Sequence, residues 1–287
     1  MKAIIKLLRP HQYVKNIFVF APLLFAFSFS VDNFTNTIIA FILFSFIASS
    51  VYVLNDLMDI NEDKKHPTKK FRPLASGEVS IQSAKLLFVS LSSFSLFVAF
   101  LFNMQLFFVL LIYFILNISY SLKLKHISIV DIFIISTGFV LRLFAGSVAT
   151  GIELSMWIII ITFLLALFLS LAKRRDDVLL SLDGKDTRKN IDGYNLEFVN
   201  ATMVLMSGVV IVSYILYTVS SEVTQRLHTE YLYLTSFFVI IGIFRYMQLT
   251  FVENNSGSPS KIVVKDSFMK ITILLWLFSF VAIIKFI

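Results

Sequence analysis

The sequence predicts an all-α integral membrane protein, nine helices forming one polytopic domain over residues 1–287. Three observations carry that prediction. Hydrophobic residues make up 57% of the chain and charged ones 15%, against about 45–50% and about 25% in soluble domains. The 32 Phe are spread along the chain, so no single block supplies the apolar excess. The charges fall in clusters separated by long uncharged stretches. A soluble globular enzyme is excluded, as is a disordered chain with this much apolar surface to bury. With no Cys, so is a disulfide scaffold.

A spanning helix needs about 20 mostly apolar residues. The predicted spans cover 16–31, 34–55, 82–102, 104–122, 127–150, 154–172, 198–221, 231–251 and 267–286. The first is short but follows Lys15, whose stem can snorkel. Its basic flank resembles a secretory signal, but no small-residue cleavage site follows it. The second lies in the charge-free run 33–55. The third and fourth come from the charge-free run 86–122, divided where Asn103–Gln105 interrupt the Phe/Leu pattern. The sixth and seventh carry no charge, whereas the fifth contains Asp131 and Arg142 and the eighth Arg245.

The basic residues orient this set. Lys2, Lys6, Arg9 and Lys15 precede the first span, and Lys64, Lys65, Lys69, Lys70 and Arg72 follow the second. Lys123 and Lys125 follow the fourth, Lys173, Arg174, Arg175, Lys185, Arg188 and Lys189 the sixth, and Lys261 and Lys265 the eighth. The opposite loops carry Asp32, Glu153, Glu222 and Glu230, with Arg226 their only base. The positive-inside rule then places the N-terminus and every even-to-odd loop in the cytoplasm. The net charge of +7 is a topology signal, and no nucleic-acid footprint is visible. Two cytoplasmic loops, 56–80 and 173–197, are long and mix both signs of charge. Long loops in compact proteins are usually functional or disordered, so the chemistry is expected between these two.

The first loop opens Asn55-Asp56-Leu57-Met58-Asp59-Ile60-Asn61-Glu62-Asp63. If the second helix runs on, Asp56, Asp59 and Asp63 stand at i, i+3 and i+7, on one face, with Asn55 beside Asp59 at i+4. Pro67 then ends the helix. Clustered carboxylates repel unless a cation joins them. Hard oxygen ligands without Cys or paired His suit Mg²⁺, which binds through one or two carboxylates plus substrate phosphates. The Lys/Arg cluster just downstream would meet the remaining phosphate charge. The plainer alternative is a solvated loop whose charges only set topology.

Asp131 and Arg142 lie eleven residues apart, three turns along nearly one face of the fifth helix. Ionisable groups inside a span are costly and default to a functional hypothesis. For Arg142 the alternative is a packing ion pair, and for Asp131 a position at the interface. Arg245 in the eighth helix carries the same two readings. In the second loop, Lys173-Arg174-Arg175 would gather anionic groups at the membrane surface. A positive-inside anchor explains those bases equally well, but it leaves Asp176 and Asp177 unexplained.

At these residues the chain resembles the UbiA superfamily of membrane prenyltransferases. The Asn55-Asp56-x-x-Asp59-x-x-x-Asp63 run matches that superfamily's first aspartate-rich motif. Within it, the branch the chain resembles is the decaprenyl-phosphate phosphoribosyltransferases. Arg9-Pro10-x-Gln12-Tyr13-x-Lys15-Asn16, His66-Pro67-x-Lys69-x-x-Arg72-Pro73-x-Ala75-x-Gly77 and Tyr120-Ser121-x-x-Leu124-Lys125 carry that likeness. So do Asp131, Gly138-Phe139-Val140-Leu141-Arg142 with Gly146, Lys173-Arg174 with Asp177, and Phe244-Arg245-Tyr246 with Asp266. Ordinary members carry a second aspartate-rich motif in the second loop. Here that stretch is Lys-Arg-Arg-Asp-Asp, with Asp177 where the branch tends to have Glu.

The resemblance implies nine helices around a cavity in the bacterial cytoplasmic membrane. It implies Mg²⁺-dependent transfer of 5-phosphoribose from phosphoribosyl diphosphate to a polyprenyl phosphate, for cell-envelope glycan precursors. Asn55, Asp56, Asp59 and Asp63 would hold the metal, with Lys173 and Asp177 joining the catalytic set. Lys15, Asn16, Lys69, Arg72, Lys123, Asp131, Arg142, Arg174, Arg188, Tyr194 and Arg245 would contact the substrates. Two alternatives stay open: a prenyltransferase moving a polyprenyl group from its diphosphate to a small acceptor, and a lipid-phosphate transporter or scaffold without chemistry.

Overall fold

A computed structural model describes residues 2–66, 68–182, 193–254, 262 and 265–286. All regular structure among them is helical. The helices are α1 (Lys2–Leu8), α2 (Ala21–Phe25), α3 (Val31–Met58), α4 (Ile60–Lys65), α5 (Ile81–Phe102), α6 (Met104–Leu122) and α7 (Val130–Thr150). They continue with α8 (Met156–Leu182), α9 (Leu196–Val219), α10 (Ser221–Leu227), α11 (Ser236–Phe251) and α12 (Ser267–Phe286). Among the described residues, eight helical segments are long and apolar enough to cross a membrane. Seven are α3, α5, α6, α7, α8, α9 and α12, and the eighth is Tyr231–Phe251, a 3-10 turn leading into α11.

The expected first span, 16–31, is where the structure departs from the sequence reading. Instead of one α-helix there is an eleven-residue 3-10 segment, Pro10–Phe20, followed by the five-residue α2. Runs of 3-10 helix beyond three or four residues are uncommon. This one is fixed by its neighbours. A three-residue repeat aligns Tyr13, Asn16 and Val19, and the first two bond to α3: the Tyr13 and Ser49 hydroxyls lie 2.8 Å apart, and Asn16 Nδ2 donates to Ser45 Oγ at 2.9 Å. Val19 packs on α7, where a Cβ built on Gly146 would fall 1.9 Å from the Val19 carbonyl oxygen. Only glycine admits that approach, so Gly146 is a condition of the segment's path.

The chain forms two compact units, 1–134 with 138–153, and 135–137 with 154–287. Unit 1 is built around α3. Its core joins Ala40, Phe44, Ala48 and Val51 of α3 to Ala99, Leu110, Tyr113 and Ala145. Lipid tails are as apolar as Leu, so helices associate through close packing of small residues and interhelical hydrogen bonds. The bond from Ser95 Oγ to the Leu43 carbonyl, 2.7 Å, is of that kind. Asn103 ends α5 and caps α6, its Oδ1 accepting from the Leu106 amide at 2.9 Å, at the interruption predicted from sequence. In unit 2, α9 packs against α8 and α11, and α11 against α12.

A second departure concerns the 173–197 loop. Helix α8 runs to Leu182, ten residues past the expected end, so Lys173–Asp177 stand on a helix. Lys, Arg and Leu are good helix formers, and nothing in this stretch breaks the backbone ladder. The first loop is similarly ordered: Asp56 belongs to the last turn of α3, and Asp63 lies on α4. Pro67, expected to end that helix, lies outside the described residues, as does Arg188.

Candidate functional site

The site in unit 1 starts at the end of α3. Asp59 interrupts the helix, yet the i to i−4 bonds continue through it, from the Asp59 amide to the Asn55 carbonyl at 3.0 Å and from the Asp63 amide to Asp59 at 2.8 Å. The three carboxylates therefore keep to one side. Arg72 shows this for two of them: its Nη1 donates to Asp56 Oδ1 at 3.1 Å and to Asp63 Oδ2 at 2.7 Å. The Pro73–Val79 turn aims Arg72, with Gly77 at φ +78°, a conformation L side chains resist. Asp56 and Asp63 are buried, 1% and 3% exposed.

Two more bases close the set. Arg9 pairs with Asp56 and lies over the Tyr52 ring at 5.4 Å. Arg9 itself is left-handed, φ +54°, a strained conformation for a non-glycine residue. That strain sits where the chain turns into Pro10 and brings the guanidinium to the carboxylate. Lys125 Nζ reaches Asp59 Oδ1 at 2.5 Å, while Asn55 Nδ2 donates to the other oxygen at 3.1 Å. Arg9 and Lys125 stand in the sequence as topology markers and as members of the resembling motifs, but not among the expected site residues. Their partners lie 47 and 66 residues away, beyond any local spacing.

Among the described residues, no three Asp, Glu, His or Cys side chains gather into a ready metal-binding group. The donor chemistry nevertheless fits a hard divalent cation. Two buried carboxylates already converge on one positive group, Arg72, and Mg²⁺ needs only one or two carboxylates when substrate phosphates and waters complete its shell.

Arg142 of α7 is 4% exposed and lies against Phe44 of α3. Its Nε donates to Asn16 Oδ1 at 2.9 Å and its Nη1 to the Gly138 carbonyl at 2.7 Å. The rings of Phe44, Tyr113 and Phe139 surround the guanidinium at 4.8, 5.2 and 5.3 Å. Among the described residues no carboxylate pairs with it, and aromatic faces and neutral oxygens surround its charge. Lys15 is half-buried nearby. Burial, then the positive charges of Arg142 and Arg9, lower its ammonium to about 8. Asp131 is fully buried in the first turn of α7. It follows Ile129, whose φ of +70° is an outlier for a β-branched residue. Lys123 is exposed and Lys69 half-buried.

In unit 2, Arg174 is fully buried and pairs with Asp177 one turn on. Lys173, at i−4 to Asp177, shares that side of α8. Arg175 is bound differently: it donates to Asn200 Oδ1 at 3.0 Å, the Thr250 carbonyl at 2.7 Å and Asn254 Oδ1 at 3.1 Å, and lies 5.2 Å from the Phe251 ring. It ties α8 to α9 and to the end of α11. Tyr194 is buried beside Phe198, ring centres 6.3 Å apart. Arg245 pairs with Asp266 at 2.8 Å and Glu253 at 3.4 Å and donates to Gln248 at 2.7 Å. The hydrogen bond from Arg245 holds the Asp266 carboxyl below the usual carboxylate range.

Comparison with known proteins adds three findings. A model of the UbiA prenyltransferase family matches residues 16–274. The decaprenyl-phosphate phosphoribosyltransferase of Corynebacterium glutamicum is 33% identical over 285 residues, 96% of this chain and 85% of that protein. The protein of the same name from Mycolicibacterium smegmatis is 31% identical, covering 100% of this chain and 93% of its own length. Among solved structures, a UbiA homolog from Archaeoglobus fulgidus bound to GPP and Mg²⁺ superposes with a TM-score of 0.71. It covers 98% of this chain and 99% of its own at 20% identity, a likeness that shows the fold.

Proposed function

The chain belongs to the UbiA prenyltransferase family of membrane transferases, and from that premise we propose that it moves 5-phosphoribose from phosphoribosyl diphosphate to a polyprenyl phosphate. The observation that carries this reading is the near full-length similarity to phosphoribosyltransferases, together with the aspartate-rich run at the end of α3. Asp56, Asp59, Asp63 and Asn55 would hold Mg²⁺, whose charge would offset that of the diphosphate leaving group. Arg72, Arg9, Lys69 and Lys125 bind phosphate oxygens around it. Lys15, with Arg142 and Asn16 behind it, takes a further phosphate. In unit 2, Lys173, Arg174 and Asp177 offer a second set of charged groups to the substrates.

The bond from ribose C1 to the diphosphate oxygen breaks as the lipid phosphate oxygen forms its own bond to C1. The acceptor is already an anion at neutral pH, so these side chains need no strong base among them. Positioning and electrostatics are the protein's contribution. A single displacement inverts the anomeric carbon. The protein lies in the cytoplasmic membrane with its N-terminus and the 56–80 segment facing the cytoplasm, and its product serves cell-envelope glycan synthesis.

Ligand linkage tests the donor. A true ligand stabilises the folded protein in proportion to its binding. Phosphoribosyl diphosphate with Mg²⁺ is expected to raise the melting temperature in detergent, and Asp56→Asn to abolish the rise. Stabilisation by geranyl diphosphate with Mg²⁺, and none by phosphoribosyl diphosphate, would replace this reading with prenyl transfer.

A further inference from the structure

Each carboxylate of the aspartate-rich run meets a base from elsewhere in unit 1. Arg9 holds Asp56, Arg72 joins Asp56 to Asp63, and Lys125 holds Asp59. Three negative charges face three positive ones. Asp56 and Asp63 are almost fully enclosed, so water screens these charges little. A divalent cation arriving alone must displace Arg72 and Lys125, leaving bases crowded about a dication with no anion to receive them. A phosphate arriving alone finds the same bases already paired. When both arrive together, the carboxylates pass to the metal and the bases to the phosphate oxygens, and every charge keeps a partner.

We propose that Arg9, Arg72 and Lys125 determine specificity: they exclude a free divalent cation and admit one that arrives with a diphosphate ester. Metal and diphosphate then bind with positive coupling, which is reciprocal and typically about 5–150-fold. The inference rests on the Mg²⁺–diphosphate reading of this site. It assigns the bases a sign toward the free cation: removing one makes the metal alone bind better.

Mn²⁺, which favours the same octahedral oxygen shell as Mg²⁺, is the probe, its free concentration followed by electron paramagnetic resonance with the full chain in detergent. Lys125→Met is the first variant, because its pair with Asp59 is part-exposed and its loss least disturbs folding. Arg72→Gln is the second, with melting temperatures measured for both. Each variant is expected to bind Mn²⁺ at least about tenfold more tightly than the unmodified chain. The reciprocal arm uses inorganic diphosphate in excess chelator: Asp59→Asn, which releases Lys125, is expected to bind it at least about tenfold more tightly. Equal or weaker Mn²⁺ binding by folded Lys125→Met and Arg72→Gln overturns the inference while leaving the Mg²⁺–diphosphate reading intact. Absence of Mn²⁺ and diphosphate binding in every protein overturns both.

Discussion

Arg72 in unit 1 and Arg175 in unit 2 each bind several acceptors near a helix end, but their acceptors are of opposite kinds. Arg72 is part-exposed and bonds two carboxylates. Arg175 is 5% exposed and bonds a carbonyl and two carboxamides, all neutral. A guanidinium between carboxylates can trade them for phosphate, provided another cation takes the carboxylates. One held by neutral oxygens has nothing to trade, and its removal strands their lone pairs. On the proposed function, the difference separates a base available to substrate from one that holds helices together, although both stand in the same kind of charged stretch.

The sharpest way to break this comparison is to neutralise one member of each set. Asp56→Asn is expected to lower turnover by about 10²–10³-fold or more, the scale for losing a charged group aimed at the reacting centre, with folding retained by circular dichroism. Arg175→Met is expected to do the reverse. Losing hydrogen bonds to a charged group costs about 1.5–3 kcal/mol apiece, read as a lower melting temperature, with turnover per folded molecule little changed. A large turnover defect in folded Arg175→Met would erase the distinction.

Gly146→Ala comes next. The added methyl would strike the Val19 carbonyl and push the 3-10 segment off α7. Overpacking of this kind costs about 1–3 kcal/mol. Because the same segment begins at Arg9, donor affinity should fall together with stability in a melting and binding series. A pH series reads Lys15. Its ammonium, lowered to about 8 by burial and by Arg142 and Arg9, loses its proton above that value. Phosphate affinity should therefore fall by up to about tenfold between pH 7 and 9, and Lys15→Gln should flatten that part of the profile. Arg245→Gln should have the smallest effect, a slight loss of thermal stability, since Asp266 and Glu253 already answer its charge.

Much of this was legible in the sequence, for physical reasons. Long, mostly uncharged apolar runs must be helices in lipid, where every backbone group needs an internal partner, so eight of the nine expected spans and the Asn103 break stood out. The run 16–31 misled because apolar content does not distinguish an α-helix from a 3-10 segment. The marks that do, Pro10, Pro22 and polar residues three apart at Tyr13 and Asn16, matter only once Ser49 and Ser45 are known to face them. The end of α8 was misplaced because charge was read as the edge of the membrane, while Arg174 is buried against Asp177 of its own helix and Arg175 among partners from α9 and beyond. At the site, the carboxylates were visible through their spacing. The pairing of Arg9 and Lys125 with them was not, although both residues stand in the resembling motifs, because tertiary contact leaves no mark in local sequence.

Whether the carboxylates at the end of α3 serve phosphoribosyl transfer is read by supplying the chain in membranes with ribose-labelled phosphoribosyl diphosphate, Mg²⁺ and a short polyprenyl phosphate, beside Asp59→Ala. A labelled lipid that requires the metal and is lost in the variant is expected. Label absent from the lipid, with prenyl transfer from a polyprenyl diphosphate in its place, would contradict the proposed transfer.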